Sequence, residues 1–95
     1  MIEIRQTARY SKWFGRLRDQ NVRARIDVRI RRVSLGNFGD AKFFDGIGEL
    51  RVDYGPGYRV YFVRQGESVV ILLAGGDKRT QDADIKLAIK LAEEL

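Results

Sequence analysis

The 95-residue chain has no cysteine and no histidine, and only one proline, one tryptophan and one methionine. Without cysteine there is no disulfide and no thiolate metal site. Without histidine the commonest metal ligand is gone, and so is the commonest general base. No group of Asp and Glu has the spacing of a carboxylate metal site, so no metal and no cofactor is expected. Catalysis, if there is any, must rest on Arg, Lys, Tyr, Asp or Glu. No apolar run approaches the roughly 20 residues of a membrane-spanning helix. Met1 to Arg5 reads as a strand rather than a signal peptide. The expectation is a cytoplasmic protein with no membrane partner. A single proline and no low-complexity run argue against disorder, and 44% apolar residues can close one core. Residues 1–95 are expected to form one domain.

What the chain does have is positive charge, unevenly placed. The net charge is +5, and residues 1–40 hold ten Lys/Arg against four Asp/Glu. Residues 41–95 are nearly balanced, with eight against nine. Arginine outnumbers lysine thirteen to five. The guanidinium fork binds phosphate through two nitrogens at once, so a polyanionic partner is implied.

Ile2 to Arg5 opens as a short strand, and Thr7 is placed to cap a helix whose apolar positions include Ala8, Trp13, Phe14 and Leu17. Asn21 can cap a second helix, whose Val22, Ile26, Ile30 and Val33 form one apolar stripe. Arg23, Arg25, Arg29, Arg31 and Arg32 fill its other faces, a surface suited to a nucleic-acid backbone or an acidic partner. Gly36 fits the position after that helix. From Asp40 the pattern turns to strands: a short Lys42–Phe44 segment, then Glu49–Tyr54 with period two. Gly55-Pro56-Gly57 is a turn, Tyr58–Arg64 returns, and Ser68–Ala74 is apolar enough for a sheet centre. Gly75–Arg79 reads as a loop, and Thr80 as the cap of a last helix. The reading is an α+β fold, β-α-α-β-β-β-α, with helices packed on a small antiparallel sheet.

Three segments could carry chemistry. On Glu49-Leu-Arg51-Val-Asp53 two carboxylates flank an arginine. Gly57-Tyr58-Arg59 lies on the paired strand, so Arg51 and Arg59 are neighbours if they share a face. Gly76-Asp77-Lys78-Arg79-Thr80-Gln81 leaves the last strand towards a helix. Guanidinium and ammonium groups converging this way make a phosphate site. RNA cleavage by its own 2′-hydroxyl needs that charge, in-line alignment and a route for protons. Tyr58 could stack on an RNA base at the ribosome; the plainer alternatives are packing for Tyr58, cross-strand ion pairs for Arg51 and Arg59, and solvated charges for Lys78 and Arg79.

ELRVDYGPGYRVYFV, followed by VVILLAGGDKRTQDADIKLA, resembles the RelE/ParE toxin superfamily. With the upstream RIDVRIRRVSLGNFGDAKFFDGIGELR, the chain is more narrowly similar to the HigB-like, phage-derived addiction-module killer branch. The resemblance spans essentially the whole chain. It implies a RelE-like fold and the toxin of a type II toxin–antitoxin pair. It further implies metal-independent, ribosome-dependent mRNA cleavage that leaves a 2′,3′-cyclic phosphate. The implied partners are the ribosome, mRNA and a cognate helix-turn-helix antitoxin of HigA type.

Position by position, Arg59 matches the family's arginine after Tyr58, Arg51 a basic residue on the preceding strand, and Lys78 or Arg79 the basic residue of the following loop. Glu49 stands where RelE has the first of two lysines, and no Tyr or His stands near the C-terminus. Lys78, Glu49 and Asp77 remain the groups able to take a proton, since arginine is a poor base. Two other readings share this fold: a ParE-like gyrase poison, and a decayed toxin that only binds its antitoxin.

Overall fold

Strand β4 (Tyr58–Gln65) lies at the middle of a five-stranded sheet ordered β1-β5-β4-β3-β2 in the computed structural model, which describes residues 1–95. The other strands are β1 (Glu3–Gln6), β2 (Ala41–Phe44), β3 (Ile47–Val52) and β5 (Val69–Asp77). Helices α1 (Ala8–Arg16) and α2 (Gln20–Ser34) cover one face, and α3 (Gln81–Glu93) packs on the other. The α+β class stands, in a RelE-like arrangement. No helix is long and apolar enough to cross a membrane.

Two features differ from the expected antiparallel sheet. β1 pairs with β5 in parallel, with Ile4 opposite Val70, so the sheet is mixed. A strand's own side-chain pattern does not fix the direction of its neighbour, and the α1–α2 hairpin intervenes between them in sequence. The Lys42–Phe44 segment is a full edge strand, bringing the strands to five. Asp45 and Gly46, both at positive φ (50° and 81°), turn it tightly into β3.

The alternation of β3, β4 and β5 sorts the core by face. Leu50, Val52, Val60, Phe62, Val70 and Leu72 meet Val22, Ile26 and Val33 of α2. Ile47, Tyr61, Ile71 and Leu73 meet Ala88 of α3. In α1 the fully buried aromatic is Tyr10, while Trp13 and Phe14 are half-buried around it.

The helix ends also differ in detail. Thr7 caps α1 as expected, accepting from the Tyr10 N–H at 3.1 Å. Asp19 rather than Asn21 caps α2, accepting from the Asn21 N–H at 2.8 Å. Gly36 (φ 92°) closes α2, with the Gly36 N–H bonding Val33 O and the Asn37 N–H bonding Arg32 O. Thr80 stands at the cap of α3, but its hydroxyl donates to Asp84 Oδ2 at 2.6 Å instead.

The segment expected as a glycine loop is strand as far as Asp77. Gly75 and Gly76 are there because neighbours leave no room for a side chain. A Cβ on Gly75 would collide with the Trp13 ring, and one on Gly76 with the Asp84 carboxylate.

Candidate active site

Arg51 on β3 and Arg59 on β4 are directly opposite each other in the strand register. Period two then places Glu49, Arg51, Arg59 and Tyr61 on one face, the face α3 covers. α3 begins only at Gln81, so it roofs the Glu49–Tyr61 end and leaves the Arg51–Arg59 end open. Beyond it, the turn at Gly55–Gly57 and Lys78, the first residue of a short 3-10 turn (Lys78–Thr80), close the sides. Gly57 needs its positive φ of 82° to make that turn, and a Cβ there would sit 3.3 Å from Arg59 Nη1 and 3.7 Å from Lys78 Cβ. The result is a cleft of about 410 Å³ lined by Asp40, Arg51, Asp53, Gly55, Pro56, Gly57, Arg59 and Lys78, with the Pro56 ring its one apolar side chain.

Two like charges opposed across a strand pair repel, and each arginine here has a carboxylate to offset that. Arg51 donates from Nε and Nη2 to Asp40 Oδ1, both at 3.2 Å, with its side chain 36% exposed. Arg59 is only 12% exposed. Its Nη1 donates to the carbonyls of Gly57 (3.1 Å) and Tyr58 (3.3 Å), and its Nε faces Glu49 Oε1 at 4.0 Å. Glu49 is sealed beneath the cleft, where Gln81 Nε2 donates to it at 3.0 Å. Lys78 is exposed and enters no ion pair, and Asp53 is likewise unpaired.

Of the positions expected to act together, the cleft gathers Arg51, Arg59 and Lys78. Arg79 points elsewhere: its side chain is 78% exposed and pairs with Asp77 at 2.8 Å. That hydrogen-bonded pairing holds the Asp77 carboxyl below its usual range. The loop thus sets Lys78 on the rim of the cleft, while Arg79 turns to Asp77. Asp40 was not singled out from the sequence, and Gln81 only as the end of the basic segment, without a role. Asp40 ends the stretch after α2, far along the chain from Arg51, and only the β2–β3 hairpin brings them together.

Residues 12–95 match the family described as "Phage derived protein Gp49-like (DUF891)". The chain belongs to the Gp49-like family. That family is one of RelE/HigB-like toxins, which meets the resemblance at that level. A protein of Haemophilus influenzae (strain ATCC 51907 / DSM 11121 / KW20 / Rd), named only "Uncharacterized protein", is similar along the whole length. It is 52% identical over 95 residues, which cover 99% of this chain and 96% of that one.

In this Gp49-like chain the α2 arginines divide into two groups. Arg29 is turned to the protein and donates to three carbonyls, those of Arg51, Phe38 (3.1 Å) and Asp40 (2.9 Å). Burial there lowers its pKa from the ordinary arginine value. It clamps the two chain segments that carry the Arg51–Asp40 pair. Arg23 caps the end of α1 by donating to Leu17 O at 3.2 Å and lies over the Phe14 ring. Arg25 lies 4.3 Å over the Tyr54 ring, exposed, and Arg31 and Arg32 are exposed without carboxylate partners. Tyr58 is half-buried against the α1–α2 side of the sheet, the face opposite Arg59. No three metal-ligating side chains cluster anywhere in the chain.

Proposed function

We propose that this Gp49-like protein is the toxin of a type II toxin–antitoxin pair, a HigB-like endoribonuclease acting on mRNA at the ribosome. The observation that carries this reading is the register pair Arg51–Arg59 meeting Lys78 around one mainly polar cleft. A phosphodiester there would face three cationic side chains. In the reaction the 2′-oxygen bonds to phosphorus while the bond to the 5′-oxygen breaks. The products are a 2′,3′-cyclic phosphate and a 5′-hydroxyl. One proton leaves the 2′-hydroxyl and one reaches the departing oxygen. Negative charge gathers on the phosphoryl oxygens, where Arg51 and Arg59 stabilise it. Lys78 and Asp53, the cleft groups free of ion pairs, are available for proton transfer.

Exposed Arg25, Arg31 and Arg32 would contact the ribosomal or messenger backbone in this reading. The cognate partner would be a helix-turn-helix antitoxin of HigA type, and the site of action the cytoplasm. The test is induction in cells with mapping of RNA ends, for wild type and Lys78→Ala. Growth arrest with new 2′,3′-cyclic ends in translated messages, lost in Lys78→Ala, supports the reading. A DNA-damage response without such ends would make the protein a gyrase poison instead. Absence of any arrest would leave an antitoxin-binding remnant.

A further inference from the structure

Glu49 is the one buried charged residue of the chain, and it belongs to no cleft. Its side chain is 2% exposed and shares a sheet face with Ile47 and Tyr61. An ionised carboxylate so far from water persists only with compensating partners. Two reach its oxygens, Gln81 Nε2 at 3.0 Å from the start of α3 and Arg59 Nε at 4.0 Å, and the buried Tyr61 hydroxyl also faces it. The second is an ion pair rather than a hydrogen bond. Arg59 Nε is itself buried with no acceptor, so Glu49 is the charge that offsets it. On the other side of the guanidinium, Nη1 is occupied by the Gly57 and Tyr58 carbonyls. Nη2 makes no hydrogen bond within the chain and is not among the sealed polar atoms. A planar fork restrained at two nitrogens has its third direction fixed.

We infer that Glu49 is a positioning residue: backed by Gln81, its carboxylate fixes the Arg59 guanidinium so that Nη2 is presented to a phosphate in the cleft. It touches no RNA, because Arg59 lies between it and the opening, and it moves no proton. The link runs from α3 through Gln81 and Glu49 to Arg59, so the helix that roofs one end of the face also aims the cation at the other. The catalytic part of this inference rests on the proposed RNA cleavage; the geometric part does not.

The closing experiment therefore has two arms on the full chain. In the first, the Arg59 Nε–H signal is followed by nitrogen-15 NMR, assigned by its loss in Arg59→Lys. Its exchange with water should be slow in wild type, fast in Glu49→Gln and intermediate in Gln81→Ala, while backbone spectra stay folded. In the second, ribosome-dependent cleavage is measured. Glu49→Gln should lower kcat on the order of 10- to 100-fold, with KM within about twofold. Glu49→Asp should recover part of the rate, and Glu49→Gln should add nothing to Arg59→Lys. Equal protection of the Nε–H in wild type, Glu49→Gln and Gln81→Ala would overturn the inference. So would a lost limb of the pH–rate profile in Glu49→Gln, which marks a base. Should Glu49→Gln not fold, Gln81→Ala decides the first arm. A wild type that cleaves nothing would refute the proposed function and leave the exchange result to judge Glu49.

Discussion

Asp40 Oδ1 lies 3.2 Å from both Nε and Nη2 of Arg51, so a carboxylate already occupies the arginine that a phosphate would use. The pair is half in solvent, and such pairs contribute about 0–1 kcal/mol to stability. Asp40→Asn should leave the melting temperature nearly unchanged. It should tighten binding of a non-cleavable 2′-O-methyl RNA at low salt by about two- to fivefold, since an anion no longer competes for Arg51. Fluorescence anisotropy reads this directly, and Arg51→Ala should erase the gain. No tightening would mean that Arg51 does not meet the RNA.

Lys78 is a cleaner functional probe than Arg59. It is exposed and unpaired, so Lys78→Ala should change stability by less than about 0.5 kcal/mol while removing a cleft cation. Arg59→Ala instead strands Glu49 as a buried charge without its ion pair. That loss costs about 3–5 kcal/mol when a buried partner is removed, and the folded fraction would fall with it. Thermal melts of both variants separate the two effects.

Arg29 should be irreplaceable by lysine. Its fork reaches three carbonyls from different chain segments, and an ammonium cannot span them. Arg29→Lys is expected to be destabilised nearly as much as Arg29→Ala, by about 2 kcal/mol, in denaturant unfolding. A wild-type midpoint for Arg29→Lys would show that the clamp is dispensable.

The Tyr10 hydroxyl is buried with no hydrogen-bond partner, and burial, aided by Asp27, pushes its pKa up. A raised folded value means the stabilisation is complete below the unfolded pKa of about 10 and drains away as pH climbs above it. Its contribution to the unfolding free energy should therefore be constant up to that pH and fall beyond it. Tyr10→Phe should lessen the alkaline decline, leaving the share of Tyr61, whose buried hydroxyl is raised likewise, and, by deleting an unsatisfied hydroxyl, match or exceed wild type at neutral pH.

Gly75→Ala and Gly76→Ala should each destabilise by about 1–3 kcal/mol, because Trp13 and Asp84 occupy the space a methyl needs. Gly76→Ala should also cut RNA cleavage, since it would displace the strand end that leads into Lys78. Differential scanning calorimetry together with the cleavage assay distinguishes this from Gly75→Ala, whose collision is on the far face.

Much of this was legible before any coordinates. The four-four-three spacing of Val22, Ile26, Ile30 and Val33 gave α2 its inward stripe, although Ile30 is only half-buried. The short Gly55-Pro56-Gly57 turn made Arg51 and Arg59 cross-strand neighbours. What stayed hidden depends on long-range placement. Alternation puts Glu49 with Arg51 and Asp53 on what looks like a polar outer face, and only α3 lying over it shows that Glu49 is interior. Arg29 reads with the polar faces of α2, yet, three residues after Ile26 and four before Val33, it lies on the inward stripe by period, where the segment after the helix folds back and meets it with carbonyls. Consecutive glycines suggest a loop in isolation. Here they mark close approach of Trp13 and Asp84 to a strand.

The sheet's two borders, β1 and β2, are its shortest strands, four residues each, and carry Glu3, Arg5 and Lys42 along them. A foreign strand laid against either border would gain few backbone hydrogen bonds and would have to desolvate charge. Phe43, the exposed apolar residue of β2, is turned edge-on to Phe38 and Phe62. Borders this short and charged give a second folded copy little to extend the sheet upon.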